Sequence, residues 1–248
     1  MKIDLKNIKY YFLTCNNEIR REHFTKEFED LDITEVNPVM NIGRNPSGVS
    51  GFSRILDIAV RDQFHESNRS PHSEVCPNTN INRFTPFGIF EDDVKKYREF
   101  PVDGIDIPYD ADFLFTGLSS YGMSEFSHCY DVFYKGVDDN IIRVYNMLSV
   151  HGIIICSIRG LLGFQKCLIE SYHTGNTLDI YVAQIQPYYN FYAFRVPLVY
   201  QYGLIGGQEE ATHVEFKGER NDIPEYWINK TNSSIITCHP DCNASYLR

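Results

Sequence analysis

The chain has 248 residues, 43% hydrophobic and 23% charged, which suits one large α/β domain or two small ones with a core of ordinary size. Its formal net charge of −10 argues against nonspecific binding to nucleic acid, whose phosphates need a basic surface, and leaves room for a local basic pocket that takes a small phosphate ligand. No run approaches the ~20 apolar residues of a membrane span. The opening Met1-Lys2-Ile3-Asp4-Leu5-Lys6 has no apolar signal core, so the expected location is cytoplasmic (host cytoplasm if the source is viral).

Ile8 to Leu13, rich in aromatics, reads as the first strand. Thr14-Cys15-Asn16-Asn17 follows as a polar loop. Ile19, Phe24, Phe28 and Leu31 then recur near helical spacing, with Asn16 or Asn17 as the cap. Arg20 and Arg21, beside the strand's carboxyl end, are placed either to meet a ligand phosphate or to lie solvated on the helix. Ile33 to Met40 reads as the second strand. Asn41 to Gly48 reads as a loop, and helical spacing returns at Phe52, Ile55, Leu56, Ala59, Val60 and Phe64. Gly48 and Gly51 permit close backbone approach to a ligand. Residues 66–82 are polar and turn-rich, as a surface loop would be.

Phe87-Gly88-Ile89-Phe90 is a short apolar run after Pro86, and it breaks into Glu91, Asp92 and Asp93. That is a buried strand with three acids at its carboxyl end, where ligands bind in open α/β sheets. Carboxylates held together there repel one another, and a hard divalent cation, Mg2+ or Mn2+, relieves the repulsion. A solvated acidic turn is the competing reading.

Ala111 to Gly117 reads as a further buried strand, and Tyr121 to Tyr134 is ambiguous. Arg143 to Leu148 and Gly152 to Ser157 read as two short strands. A helix is expected from Ile158 to Tyr172 with Leu161, Leu162, Gln165, Leu168 and Ile169 inward. The aromatic stretch Tyr188 to Tyr202 reads as core or strand rather than a sugar platform. Seven cysteines, irregularly spread, do not form a disulfide framework. Cys238-His239-Pro240-Asp241-Cys242 is half of a zinc site with no companion pair. Glycosylation sequons at Asn68, Asn229, Asn232 and Asn243 read as chance in an Asn-rich chain. The expected organisation is one domain over 1–218 with a tail, 219–248, packed on it.

Several segments, in order over roughly residues 8 to 205, resemble glycosyltransferase family 25, the lipopolysaccharide and procollagen galactosyltransferase group. They are YFLTCNNEIRREHFTKEF, SGVSGFSRILDIAVRD, PFGIFEDDV, DADFLFTG, RVYNMLSVHGIIICSIRGLLGFQ, TLDIYVAQ and RVPLVYQ. The family usually has Ser-His in its glycine–serine segment, whereas here Ser53 is followed by Arg54. Related transferases of the same general fold, including viral ones acting on capsid glycans, are an alternative cousin.

The resemblance implies a single GT-A-like α/β domain, with a mixed, mostly parallel central sheet flanked by helices. It implies transfer of a sugar from a nucleotide diphosphate sugar donor, most often UDP-linked, to a glycan or other hydroxyl acceptor, with Mn2+ or Mg2+ as cofactor. On that reading Asp93 is the direct metal ligand, with Glu91 as a second, and Thr14, Asn16, Arg20, Gly51, Ser53, Glu91 and Asp92 form the donor-binding set. Asp179, then Asp112, are the candidate bases, with His173 and His213 behind them. Two other functions compete: a catalytically inactive sugar- or partner-binding relative, and a metal-dependent phosphohydrolase that would need further metal ligands.

Overall fold

A computed structural model of the chain describes residues 1–14, 17–39, 44–67, 84–123, 128–129, 131–202, 214–218 and 223. The elements follow in chain order: β1 (Lys2–Ile3), β2 (Lys9–Leu13), α1 (Glu18–Glu27), β3 (Ile33–Val36), α2 (Arg44–Ser67), β4 (Phe87–Glu91), β5 (Val94–Lys96), β6 (Ile105–Asp106) and β7 (Phe113–Phe115). Then come β8 (Gly122–Met123), β9 (His128–Cys129), β10 (Tyr134–Gly136), β11 (Ile141–Val144), β12 (Gly152–Ile155), α3 (Ile158–Thr174), α4 (Leu178–Ile185), β13 (Phe191–Phe194) and β14 (Val199–Gln201).

The central sheet is mixed, with strand order β10-β11-β13-β7-β12-β4-β2-β3, and helices cover both faces. The chain is thus α/β, as expected. Parallel ladders join β2 to β3, β2 to β4 and β13 to β7. Antiparallel ladders join β12 to β4, β12 to β7, β11 to β13 and β10 to β11, so parallel pairing is not the majority. The reason is that two strands run against the rest: β11, between β10 and β13, and β12, which follows it without a crossover helix and enters the middle of the sheet between β4 and β7.

Period-2 alternation divides the core between two faces. Tyr10, Phe12 and Phe90 face α1, where they pack with Phe24, Phe28 and Leu31. Tyr11, Leu13, Phe87 and Ile89 face α2 and α3, where they pack with Phe52, Ile55, Ala59, Phe164 and Leu168. The first face is an aromatic stack: ring centroids are 5.1 Å apart for Tyr10–Phe90, 4.3 Å for Phe12–Phe24 and 5.2 Å for Phe28–Phe90. Each such side chain contributes about 1.5–3 kcal/mol by leaving water. Gly88 is needed here, since a Cβ on it would lie 2.2 Å from the Tyr10 ring. Tyr189, Phe191, Tyr192 and Phe194 are buried, so the late aromatic stretch is core.

Three local expectations need correction. Helix α2 begins at Arg44, inside the expected loop, and carries Pro46 in its first turn, where a missing N–H costs nothing. Ile19, 65% exposed, lies outside the core of α1. Helix α3 is rotated from its expected face: Leu162 and Ile169 are exposed, while Gly160, Gly163, Phe164, Cys167, Leu168 and Ser171 are buried. The two glycines explain it. A Cβ on Gly160 would lie 2.4 Å from the Asp112 carbonyl oxygen, and one on Gly163 would lie 2.7 Å from the Tyr189 ring, so the helix docks on its smallest side chains. Asn16, His213, the Cys238–Cys242 pair and the four sequons lie outside the described residues, as does all of 219–248 except Ile223. No helix among the described residues is long and apolar enough to cross a membrane.

Candidate functional site

From β2 the chain passes through α1 to β3 on one side, then through α2 to β4 on the other side of β2. The carboxyl ends of β2 and β4 therefore flank a point where strand order reverses, and such a crevice is where open α/β sheets take ligands. In that ladder Leu13 stands opposite Glu91, which brings Thr14 to the same edge as the acids. Thr14 is 1% exposed, and its Oγ1 is buried with no hydrogen-bond partner.

Glu91 ends β4, and its N–H donates to the His151 carbonyl at 3.3 Å. Asp92 and Asp93 form the turn into β5 and are buried, at 3% and 9% exposed. Arg20 reaches them from the first turn of α1, where Asn17 is the N-cap and accepts from the Arg20 N–H at 3.2 Å. Arg20 Nη1 donates to Asp92 Oδ1 and to Asp93 Oδ2, each at 3.3 Å. Asp93 Oδ2 also accepts from Gln201 Nε2 at 3.2 Å, and the Asp93 carbonyl accepts from Tyr202 N–H at 2.6 Å. Asp93 Oδ1 is buried with no partner.

Burial first, then the charges of Asp93, Asp179 and Asp92, hold the Glu91 carboxyl well above the usual carboxylate range, against the pull of Arg20. Asp93 is also raised, chiefly by burial, with Arg20 and Gln201 opposing. The Asp179 charge acts on Glu91 from the first turn of α4.

The structure therefore brings together Thr14, Arg20, Glu91, Asp92 and Asp93, and the charge of Asp179 is felt at Glu91. It does not bring Asp112 there. Asp112 lies at the opposite edge, just before β7, where it accepts from Ser157 Oγ at 2.6 Å, from Asn190 N–H at 3.0 Å and from Arg159. That is a structural anchor for the start of α3, so its candidacy as a base is withdrawn. Gly51 is taken up by packing rather than ligand approach: a Cβ there would lie 2.1 Å from Leu13 Cδ1. Ser53 lines a cleft of about 310 Å³ between α2 and α3, together with Ser50, Tyr172 and His173. Sequence reasoning missed Gln201 as a site residue, although its RVPLVYQ segment carried the signal. It missed His151 altogether, since nothing local marks a residue that meets Glu91 only through strand pairing.

Among the described residues no three His, Cys, Asp or Glu side chains converge as a ready-made metal cage. That donor set still fits Mg2+ or Mn2+. Mg2+ is usually held by one or two carboxylates, with waters and substrate phosphates completing its shell. The orphaned buried oxygen of Asp93 is a ligand of that kind, and a cation there would offset the charge repulsion that adds to burial in raising Glu91.

Fold and site together define an α/β domain with a carboxylate-rich edge at its topological switch point. No protein-family model matches the chain, and no curated protein or solved structure matches it either.

Proposed function

We propose that the chain is a divalent-cation-dependent glycosyltransferase that moves a sugar from a nucleotide diphosphate sugar, UDP-linked in the first instance, to a hydroxyl on a glycan or other acceptor. The observation that carries the reading is the meeting of segments far apart in sequence on Asp93: Arg20 from α1, Gln201 from β14 and the unpartnered Oδ1. The RVPLVYQ segment of the family resemblance contributes Gln201 to this edge, and Asp179 of TLDIYVAQ acts on Glu91 through its charge.

Asp93 and Asp92 would hold the cation, which when bound supplies Lewis-acid stabilisation of the departing diphosphate. Arg20 carries a permanent positive charge suited to a phosphate oxygen. Gln201 fixes the Asp93 carboxylate, and Asp179 at the start of α4 is the candidate base for the acceptor hydroxyl.

A thermal-shift panel tests the reading. UDP should raise the melting temperature only in the presence of Mn2+ or Mg2+, and hydrolysis of a matching UDP-sugar should need the same metal. Indifference to every nucleotide with metal present, or phosphate release from generic esters, would overturn it.

A further inference from the structure

The cleft of about 310 Å³ between α2 and α3 has a mixed lining. Buried Leu56 and Leu168 give it an apolar base, while the exposed Asp57, Gln165, Tyr172 and His173 form its rim. Tyr172 is 59% exposed, so much of its ring is open to a ligand. Large apolar groups left in water beside a concavity mark a binding groove rather than core. The cleft adjoins the carboxylate edge through α2. Ser50 and Ser53, both in its lining, lie within one helical turn of Gly51. A Cβ on Gly51 would lie 2.1 Å from Leu13 Cδ1, and Leu13 is the residue paired with Glu91.

Resting on the functional reading above, we infer that this cleft seats neutral sugar units of the acceptor, so that the acceptor is a glycan rather than a peptide or lipid hydroxyl. A sugar ring has C–H faces that pack on an aromatic ring, and a girdle of hydroxyls, each both donor and acceptor. Tyr172 supplies the aromatic ring. Asp57 accepts, while Ser53, Gln165 and His173 can each donate and accept, which is the mixture that hydroxyls need. Among the described residues that line the cleft there is no lysine or arginine, and Asp57 adds a negative charge. A phosphate or carboxylate is repelled there, so the nucleotide donor is not its occupant. A lipid chain would cover the polar rim without pairing it. The volume lies at the small end of ligand pockets, which run from ~300 to 1,000 Å³, and suits a short saccharide.

The test uses the full chain and, as probes, neutral trisaccharides of glucose, galactose, mannose and N-acetylglucosamine. Binding is followed by saturation-transfer difference NMR in wild type, Tyr172→Ala, Tyr172→Phe and Gln165→Ala. At least one probe should bind wild type, with saturation strongest on its ring C–H groups. Tyr172→Ala should weaken that probe about 10-fold, and Gln165→Ala about 3-fold. Tyr172→Phe, which keeps the ring, should bind nearly as well as wild type. Both positions are exposed, so the variants should fold as wild type does. The Mn2+-dependent response to UDP should be the same in wild type and Tyr172→Ala. Binding of no probe to wild type, or equal binding to wild type and Tyr172→Ala, overturns the inference and leaves the functional reading to its own test. Loss of the UDP response in Tyr172→Ala overturns it by placing the cleft in the donor site. A dimer in sedimentation that Tyr172→Ala dissociates overturns it by making this face a contact between copies of the chain. Probe binding at the cleft in a chain indifferent to UDP with Mn2+ overturns the functional reading and the acceptor role with it, and leaves a site for neutral sugars.

Discussion

Gln201 Nε2 donates to Asp93 Oδ2 at 3.2 Å across 108 residues of sequence. The antiparallel pairing of β14 with β5 makes the contact, since Gln201 stands opposite Val94, the residue after Asp93. Asp93 Oδ2 also faces Arg20 while Oδ1 has no partner, and Gln201 holds the carboxylate torsion that on the proposed function presents that oxygen to a cation. Groups that orient a metal ligand in this way typically change metal affinity by about 10–100-fold when removed. Gln201→Ala should therefore lower Mn2+-supported UDP affinity by about 10-fold while costing roughly 1 kcal/mol of stability. Calorimetry and urea unfolding measure the two effects. Unchanged UDP affinity would remove Gln201 from the site.

Asp112 should behave in the opposite way. Its carboxylate is 3% exposed and accepts from Ser157, Asn190 and Arg159, and a Gly160 docked against its carbonyl shares the same corner. Arg159 is half exposed, so solvent screens its part. Asp112→Ala should cost about 3 kcal/mol, mostly from buried donors left unpaired. Nucleotide and Mn2+ affinity of the folded fraction should stay at wild-type values. A loss of UDP binding at unchanged stability would return Asp112 to the active edge.

The contrast between these two aspartates marks what the sequence made legible. The β2–α1 unit, β4 and the acids after it were readable because each is a local pattern: an aromatic run, a helical repeat, an apolar strand broken by charge. Asp112 misled because a residue beside a strand reads the same whichever end of the strand reaches the ligand edge, and direction within the sheet is not local. The face of α3 was misread because large apolar residues weigh more in periodicity than Gly160 and Gly163, which bury by letting backbone and ring approach. Gln201 and His151 meet the acids only through strand pairing, and register emerges with the fold.

His151 gives a pH dependence with a definite sign. Burial pushes its pKa down from 6.5 to about 4. Its Nδ1 is 3.2 Å from Ser149 Oγ, its Nε2 has no partner, and a Cβ on Gly117 would lie 2.3 Å from that nitrogen. Between those two values the unfolded chain binds more protons than the folded one, so stability rises with pH across this window. The contribution is complete above 6.5 and is lost as pH falls toward about 4, an effect of order 3 kcal/mol. Urea unfolding from pH 4.5 to 7.5 should show a shallower acid limb in His151→Gln than in wild type. Parallel limbs would mean that His151 titrates normally.

Asp93→Asn separates stability from function at a single atom. Burial outweighs the help of Arg20 and Gln201, so the Asp93 carboxyl is raised above 3.8 in the fold. For an acid raised in this way, the folded state holds its proton where the unfolded chain has lost it. Stability then falls as pH rises from 3.8 through the folded pKa, and at neutral pH the charged form is a burden. The amide has the same shape and still accepts from Gln201 through its oxygen, but it is a poor partner for a hard cation. Asp93→Asn should therefore melt above wild type without ligand. The gain should be larger at pH 7 than at pH 4, and the Mn2+-dependent response to UDP should vanish. A variant that melts lower than wild type and still responds to UDP with Mn2+ would mean that Asp93 is held for the fold and the cation is held elsewhere.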